Sequence, residues 1–178
     1  MERLCKVRDW ALHALHRAVY SGDMAADVQK ILVPVDFSEG SGGALSYALA
    51  LAEKLGAQVT VLHVVDYPPP YSQVEALTMV APADGEVSFD RYLQNRARED
   101  MKEFLAPFRN RGKFDEVFGS GGAADGIGEA AKSTAADLVV MGTHGRSGLK
   151  RLMLGSVAER TLRTCPCPVL IVPSSFED

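Results

Sequence analysis

The chain has few cysteines, no long apolar segment and no excess of basic residues, and each absence excludes a class of protein. Its 178 residues include three cysteines, an odd number without the spacing of a disulfide framework. No apolar run approaches the roughly 18–20 residues that a membrane-spanning helix needs. Lys and Arg total 19 against 23 Asp and Glu, and a net charge of −4 does not supply the basic face of a nucleic-acid-binding protein. Since a secretory signal pattern is also lacking, we expect a protein of the reducing cytoplasm that binds neither membrane nor nucleic acid.

Short β-rich runs alternate with helical patterns from Lys30 onward. The composition, 47% hydrophobic and 24% charged, is typical of a globular domain, and the length suits one domain. Such alternation predicts an α/β fold, with a parallel sheet covered by helices on both faces. A turn is predicted at 38–43 and a long irregular connection at 66–88. Strands are predicted at 30–35, 57–65, 114–118, 137–141 and 169–172, and helices at 44–55, 89–108, 124–135 and 156–163.

Residues 1–29 stand outside this alternation, so we predict an N-terminal extension at 1–29 and a domain at 30–178. Apolar positions in the extension fit a short amphipathic helix that packs on the domain or on a partner. A disordered tail, or an upstream start codon with Met24 as the functional start, fits as well. Glu2 and Asp9 disfavour a targeting peptide.

The strongest local signal is a pair of glycine-containing segments between the fourth predicted strand and the last predicted helix. Gly142-Thr143-His144-Gly145 is separated by nine residues from Gly155-Ser156. Glycines there permit positive φ and the close approach of a ligand, and free N–H groups at Gly155, Ser156 and Val157 would favour phosphate at a helix N-terminus. The same residues also fit a loop with turn glycines and Ser156 as a helix cap. Basic side chains available as counter-charge are Arg146, Lys150 and Arg151.

Asp36 directly follows the first predicted strand, at the end where open α/β sheets place their ligands. A carboxylate at this position can accept hydrogen bonds from ribose hydroxyls or hold a metal. The competing interpretation is a turn or helix-capping aspartate before Ser38.

Several segments resemble the universal stress protein family in their order and spacing. The resemblance covers about residues 30–173, and the glycine–serine motif is its most specific part. The segments are KILVPVDFS at 30–38, LHVV at 62–65, Gly122-x-Ala124-x-x-Ile127, Gly142-x2-Gly145-x9-Gly155-Ser156 and CPVLIV at 167–172.

The resemblance implies a five-stranded, Rossmann-like parallel sheet of order 3-2-1-4-5 and an ATP site. By the family pattern, Asp36 lies near the ribose and the backbone of Val64 meets adenine. The remaining positions implied by the resemblance are Pro34 and Val35 beside the base, Met141 and Gly142 under the ribose, and Gly145, Gly155, Ser156 and Val157 around the phosphates. Arg146 joins the predicted site as counter-charge from the loop between the glycine segments.

The function that the resemblance implies is an ATP-binding stress or signalling protein that uses nucleotide occupancy as a switch. The alternative is a slow ATPase or self-phosphorylating enzyme, although no general base for phosphoryl transfer is evident. Metal dependence is open, because Mg²⁺ bound with the nucleotide can stay mostly on water and phosphate, and we predict no protein-built metal site. The family usually dimerises, and the resemblance implies a homodimer paired through Val169–Val172.

Two other sequence features carry weaker or negative signals. The GK[ST] sequence of a P-loop is absent from the chain. Cys165-Pro166-Cys167 lacks a second ligand pair for zinc, and it predicts a turn with a buried thiol instead.

Overall fold

Five parallel strands form one sheet in the order β3-β2-β1-β4-β5, in a computed structural model that describes residues 28–65, 89–143 and 154–173. This confirms the expected fold class and strand order. The strands are β1 (Lys30–Pro34), β2 (Gln58–Val65), β3 (Phe114–Ser120), β4 (Leu138–Gly142) and β5 (Val169–Val172). The helices are α1 (Glu39–Leu55), α2 (Phe89–Leu105), α3 (Ala123–Ser133) and α4 (Ser156–Thr164), with a 3₁₀ turn at Ala106–Phe108 after α2.

The central strand β1 is apolar from Ile31 onward, as expected of a strand whose two faces are both covered. It pairs with β2 on one side and with β4 on the other. Ile31 and Val33 point into one core cluster and Leu32 into the other, and all three are buried. Such a continuous apolar run is typical of strands in parallel sheets, where both faces are buried.

Helices cover the two faces of the sheet in pairs. Residues of α1 and α2 pack in the first cluster, which includes Leu45 and Met101. Residues of α3 and α4 pack in the second, which includes Ile127 and Ala158. The predicted cover of helices on both faces is therefore confirmed.

The turn predicted at 38–43 is wrong, because the first helix begins at Glu39 rather than at Ala44. Ser38 caps it by accepting a hydrogen bond at its Oγ from the N–H of Ser41, at 3.2 Å. The predicted end of this helix at residue 55 is confirmed, since Gly56, directly after it, adopts the left-handed conformation with φ of 69°.

The predictions for residues 1–27 and 66–88 lie outside the described residues. Of the predicted extension, Val28 packs against the first core cluster. The N–H of Gln29 donates to the carboxylate of Asp137, as does that of Lys30, both at 3.0 Å. Across the described ranges, no helix is both long enough and apolar enough to cross a bilayer.

Candidate functional site

A cavity of about 290 Å³ opens at the carboxyl ends of β1 and β4. The strand order reverses at this position. From β1 the chain adds β2 and β3 on one side of the sheet, and then β4 and β5 on the other side. The volume is near the lower end of the roughly 300–1,000 Å³ of ligand pockets. Its lining consists of Pro34, Val35, Asp36, Ser41, Leu62, His63, Val64, Ala123, Ile127, Met141, Gly142, Thr143, Gly155, Ser156, Val157 and Ala158.

The structure brings most of the predicted site residues together around this cavity. Gly145 and Arg146 lie outside the described residues, as do His144, Lys150 and Arg151. A role of the others in binding stays a prediction. The predicted residues that line the cavity are Pro34, Val35, Asp36, Val64, Met141, Gly142, Gly155, Ser156 and Val157.

Asp36 lines the cavity and also holds the start of α1. Its Oδ1 accepts hydrogen bonds from the N–H of Ser38 at 3.2 Å and from the hydroxyl of Ser38 at 2.5 Å. Ser38 in turn caps the helix, so the carboxylate orients the cap. The turn interpretation of Asp36 and its place at the cavity are thus both present in the structure.

The N-terminus of α4 opens onto the cavity, with two differences from the prediction. Gly155 is the cap residue and Ser156 the first helical residue, so the alternative in which Ser156 caps the helix is wrong. The N–H of Gly155 donates to the carbonyl of Thr143 at 2.9 Å, so it is not a free donor. The helix ladder begins with Glu159, whose N–H donates to Gly155, and the first-turn N–H groups at 156–158 have no partner in the helix.

The expectation of positive φ at the glycines of the motif is not met within the described residues. Gly155 has a φ of −64°, and Gly142 is the last residue of β4. Among described glycines, positive φ occurs at Gly56 and Gly121 instead. What a glycine offers at 155 is therefore the absence of a side chain at the cavity wall.

The backbone of Val64 points into the cavity. In a strand, successive backbone N–H and C=O groups alternate between the two neighbouring strands. The carbonyl of Leu62 accepts from Val35 on the β1 side at 2.8 Å, and that of Val65 accepts from Gly121 on the β3 side at 3.1 Å. Val64 shares the side of Leu62, and β1 ends at Pro34. Its N–H and C=O therefore extend past the end of β1, where the cavity begins.

The side chain of Val64 packs tightly against α3. A Cβ at Gly126 would lie 2.8 Å from Cγ1 of Val64, a separation shorter than side chains accept. A Cβ at Gly119 would make ordinary contact with the same valine, at 3.5 Å. Gly126 thus lets α3 approach β2 directly beside the cavity.

His63 lines the cavity, and Phe37, which packs against the first core cluster, lies beside it. Nδ1 of His63 donates to the carbonyl of Val35 at 2.8 Å, because a carbonyl can only accept, and this fixes the hydrogen on that nitrogen. The ring of Phe37 stacks on His63 with 4.2 Å between centroids. Phe37 has a φ of 66°, which is uncommon for a non-glycine residue and frequent beside functional sites.

Several lining residues were not predicted. Thr143 and Ala158 adjoin predicted positions, so extending the motif by one residue would have found them. His63 belongs to the LHVV segment at 62–65 that carries part of the resemblance, and it lies at the cavity without having been assigned to the site. Ser41 and Ala123 carry no sequence signal of their own, because they reach the cavity from the first turns of α1 and α3, whereas Ile127 belongs to the Gly122-x-Ala124-x-x-Ile127 segment without having been assigned to the site.

The part of the chain that forms the sheet and the cavity is similar to a known protein family. A model of the universal stress protein family matches residues 27–173. The chain belongs to this family. A universal stress protein of Methanocaldococcus jannaschii, MJ0531, is 35% identical over 146 residues, covering 81% of each chain.

Solved structures of the family share the fold. The hypothetical protein MJ0577 of Methanocaldococcus jannaschii superposes with a TM-score of 0.66 at 28% identity, over 83% of this chain and 97% of the other. A universal stress protein solved in complex with cAMP gives a TM-score of 0.58 at 22% identity, over 83% and 98%. At that identity the second likeness shows the fold alone.

Within the described ranges, no group of three or more His, Cys, Asp and Glu residues is placed to hold a metal ion. Of the predicted site residues, Asp36 contributes the carboxylate at the cavity.

Proposed function

We propose that this universal stress protein binds ATP in the cavity between β1, β4 and α4 and acts as a nucleotide-dependent switch in the cytoplasm. One observation carries the proposal: predicted residues from β1, β2, β4 and α4, distant in sequence, line a single cavity. If Asp36 were only a turn residue and Gly155 only a helix cap, there would be no reason for them to line the same cavity.

Three parts of the cavity match the three parts of an adenine nucleotide. The backbone N–H and C=O of Val64 offer a donor and an acceptor to the edge of the base. The carboxylate of Asp36 offers an acceptor to ribose hydroxyls. The first-turn N–H groups of α4 favour phosphate, because a helix N-terminus carries partial positive charge. Gly145 and Arg146 are part of this proposal as further phosphate contacts.

The direct test is mass spectrometry of ligand that co-purifies with the full chain, followed by calorimetric titration with ATP, ADP, AMP and cAMP. The titration includes cAMP because one neighbour of the same fold was solved in complex with it. We expect an adenine nucleotide in the purified protein and saturable binding of ATP with and without Mg²⁺. Absence of adenine nucleotide, together with no binding of any of the four, would contradict the proposal.

Replacing Gly155 with Val tests the phosphate end of the cavity. Because position 155 lines the cavity, an added isopropyl group occupies space beside the first-turn N–H groups of α4. We expect ATP affinity to fall at least tenfold, or about 1.4 kcal/mol. Gly43→Ala is the matched glycine control, since a Cβ there meets nothing within 4 Å and position 43 is not part of the lining. Equal affinity of a folded Gly155→Val protein and the control would contradict the phosphate assignment.

The alternative of a slow ATPase or self-phosphorylating enzyme uses the same cavity, and single-turnover hydrolysis of labelled ATP distinguishes it. A switch protein hydrolyses ATP near the background rate. A rate well above background that is lost in Asp36→Ala would favour the enzyme. Asp36→Asn is the structural control, because its amide oxygen can still accept from Ser38.

We also propose a homodimer through β5. This strand lies at the edge of the sheet, and its apolar residues Val169, Leu170 and Ile171 are only half-buried. A bare apolar edge favours pairing, and a twofold axis covers two edges with one self-complementary patch. Pro168 and Pro173 flank the strand and limit that pairing to four residues.

Sedimentation of the full chain and of a chain that starts at Met24 tests the dimer. We expect both to sediment as dimers. If the full chain is a monomer and only the shortened chain associates, the N-terminal extension covers the edge, and the proposed dimer is wrong.

A further inference from the structure

The turn between α4 and β5 holds two thiols side by side. Sγ of Cys165 and Sγ of Cys167 lie 3.8 Å apart, and both residues are half-buried, so the predicted buried thiol is corrected to a pair that solvent reaches. The backbone fixes the turn at each end. The N–H of Cys165 donates to the carbonyl of Thr161 at 2.8 Å, and the carbonyl of Pro168 accepts from Val139 at 2.9 Å.

We propose that Cys165 and Cys167 form a redox-active dithiol, which closes to an intramolecular disulfide when it reacts with a hydroperoxide. Neither the nucleotide site nor the dimer requires this chemistry. The short separation of the sulfurs, their anchored turn and their access to solvent support the proposal. A disulfide needs the sulfurs at about 2.0 Å, and rotation about the two Cα–Cβ bonds can bring them closer from 3.8 Å.

The two thiols have different roles because their surroundings differ. Either sulfur can donate the hydrogen bond between them, and with Cys167 as the donor this bond lowers the pKa of the Cys165 thiol to about 7 in spite of its burial. The backbone N–H of Cys167 and the Lys132 ammonium act in the same direction. The pKa of the Cys167 thiol is raised well above its ordinary value, first because it donates that hydrogen bond and then because it is partly buried. The negative charges of the Cys165 thiolate and the Asp137 carboxylate raise it further. Cys165 is therefore the attacking thiolate and Cys167 the thiol that resolves the intermediate.

The chemistry takes place in two steps. The Cys165 thiolate attacks one oxygen of the hydroperoxide, the O–O bond breaks, and the alkoxide leaves and takes up a proton as an alcohol, or as water from hydrogen peroxide. Cys165 is then a sulfenic acid. The sulfur of Cys167 attacks the sulfur of Cys165, the S–O bond breaks, and hydroxide leaves as water with the Cys167 proton. Two electrons pass from the two thiols to the peroxide.

Peptide mapping of the full chain after treatment with hydrogen peroxide tests the proposal. Trypsin leaves both cysteines in the C-terminal peptide 164–178, whereas Cys5 falls in a separate peptide. We expect the C-terminal peptide to lose two hydrogen atoms and to regain them with dithiothreitol. A C-terminal peptide that stays reduced while Cys5 is oxidised, or that gains oxygen without losing the hydrogens, would overturn the proposal.

Single substitutions test the assigned roles. In Cys167→Ser the first step remains, so we expect a Cys165 sulfenic acid that dimedone traps in the C-terminal peptide. In Cys165→Ser we expect dimedone labelling of this peptide to be at least tenfold lower than in Cys167→Ser. Cys5→Ser is the control, and we expect the disulfide to form in it as in the unaltered protein. Stronger labelling in Cys165→Ser than in Cys167→Ser would reverse the roles. The peptide mapping uses the unaltered protein. It therefore still tests the proposal if one of these variants does not fold.

The pH dependence of alkylation adds a readout of the hydrogen bond between the sulfurs. In the unaltered protein, iodoacetamide should modify Cys165 with a midpoint near pH 7. In Cys167→Ala the donor is lost, so we expect the midpoint to rise, with Lys132 and Asp137 unchanged. An unchanged midpoint in this variant would show that Cys167 does not act on Cys165 as proposed.

Discussion

The two faces of the sheet are covered by helices of different length and bulk. The helices of the first face, α1 and α2, have 17 residues each, and its cluster includes Leu45, Met101, Leu105 and Phe108. The helices of the second face, α3 and α4, have 11 and 9 residues, and they contribute Ile127 and three alanines to their cluster. Most of the apolar bulk therefore lies on the first face.

The lighter second face contributes most of the helical residues that line the cavity, and both thiols lie on it. Ala123 and Ile127 of α3 and the first turn of α4 line the cavity, whereas α1 contributes Ser41 alone. The dithiol packs against the same second cluster. Small residues on this face let the helix backbones lie close to the sheet. Larger side chains in their place would occupy the cavity at the carboxyl ends of the strands. The first face then has to supply most of the stability.

The largest expected effect is on the first face. Leu45 of α1 is fully buried, and Leu45→Ala should reduce the free energy of unfolding by about 2–5 kcal/mol, through lost apolar burial and a residual cavity. Urea denaturation measures the loss. Leu55→Ala in the same helix is the control, since Leu55 is 49% exposed and should change stability by less than about 1 kcal/mol. ATP affinity of folded Leu45→Ala should stay within about twofold of the unaltered protein, and a larger change would mean that the two faces are coupled.

On the second face, Gly126→Ala should have an intermediate effect that reaches the cavity. The added Cβ would meet Cγ1 of Val64 at 2.8 Å, so either α3 or Val64 has to move. We expect a loss of about 1–3 kcal/mol in unfolding free energy and weaker adenine binding.

Gly128→Ala is the matched control for Gly126→Ala. It lies in the same helix, and a Cβ there meets nothing within 4 Å. Removing a helical glycine should stabilise it by about 0.5–1 kcal/mol. Equal urea midpoints for the two variants would contradict the close packing of α3 on β2.

Much of the fold follows from local pattern. β1 and β4 are predicted because strands buried on both faces read as unbroken apolar runs, and the stop of α1 follows from Gly56. The start of α1 was placed too late, because Gly42 and Gly43 read as turn residues. In the structure the Ser38 cap starts the helix ahead of them. A local capping hydrogen bond outweighed the low helix propensity of the glycines.

The site was predicted less completely, because its geometry depends on contacts between distant segments. The acceptor for the N–H of Gly155 is the carbonyl of Thr143, and this pairing requires knowledge of how the chain returns to β4. Likewise, the need for glycine at 126 comes from Val64, which is 62 positions earlier in the sequence. The motif spacing and the family resemblance indicated which residues line the cavity, and tertiary structure decides which of their polar groups stay available.

The smallest expected effect concerns the ion pair that joins the two helices of the second face. Nη2 of Arg160 in α4 donates to both carboxylate oxygens of Asp125 in α3, at 2.9 Å each. Their side chains are 61% and 64% exposed, so water and salt screen the pair, and we expect a coupling of about 0.2–1 kcal/mol. A double-mutant cycle with Asp125→Asn and Arg160→Gln, followed by urea denaturation, measures it. Because the coupling is electrostatic, it should decrease from low to high salt. A coupling above that range, or one that salt leaves unchanged, would show that the second face depends on this ion pair more than its exposure predicts.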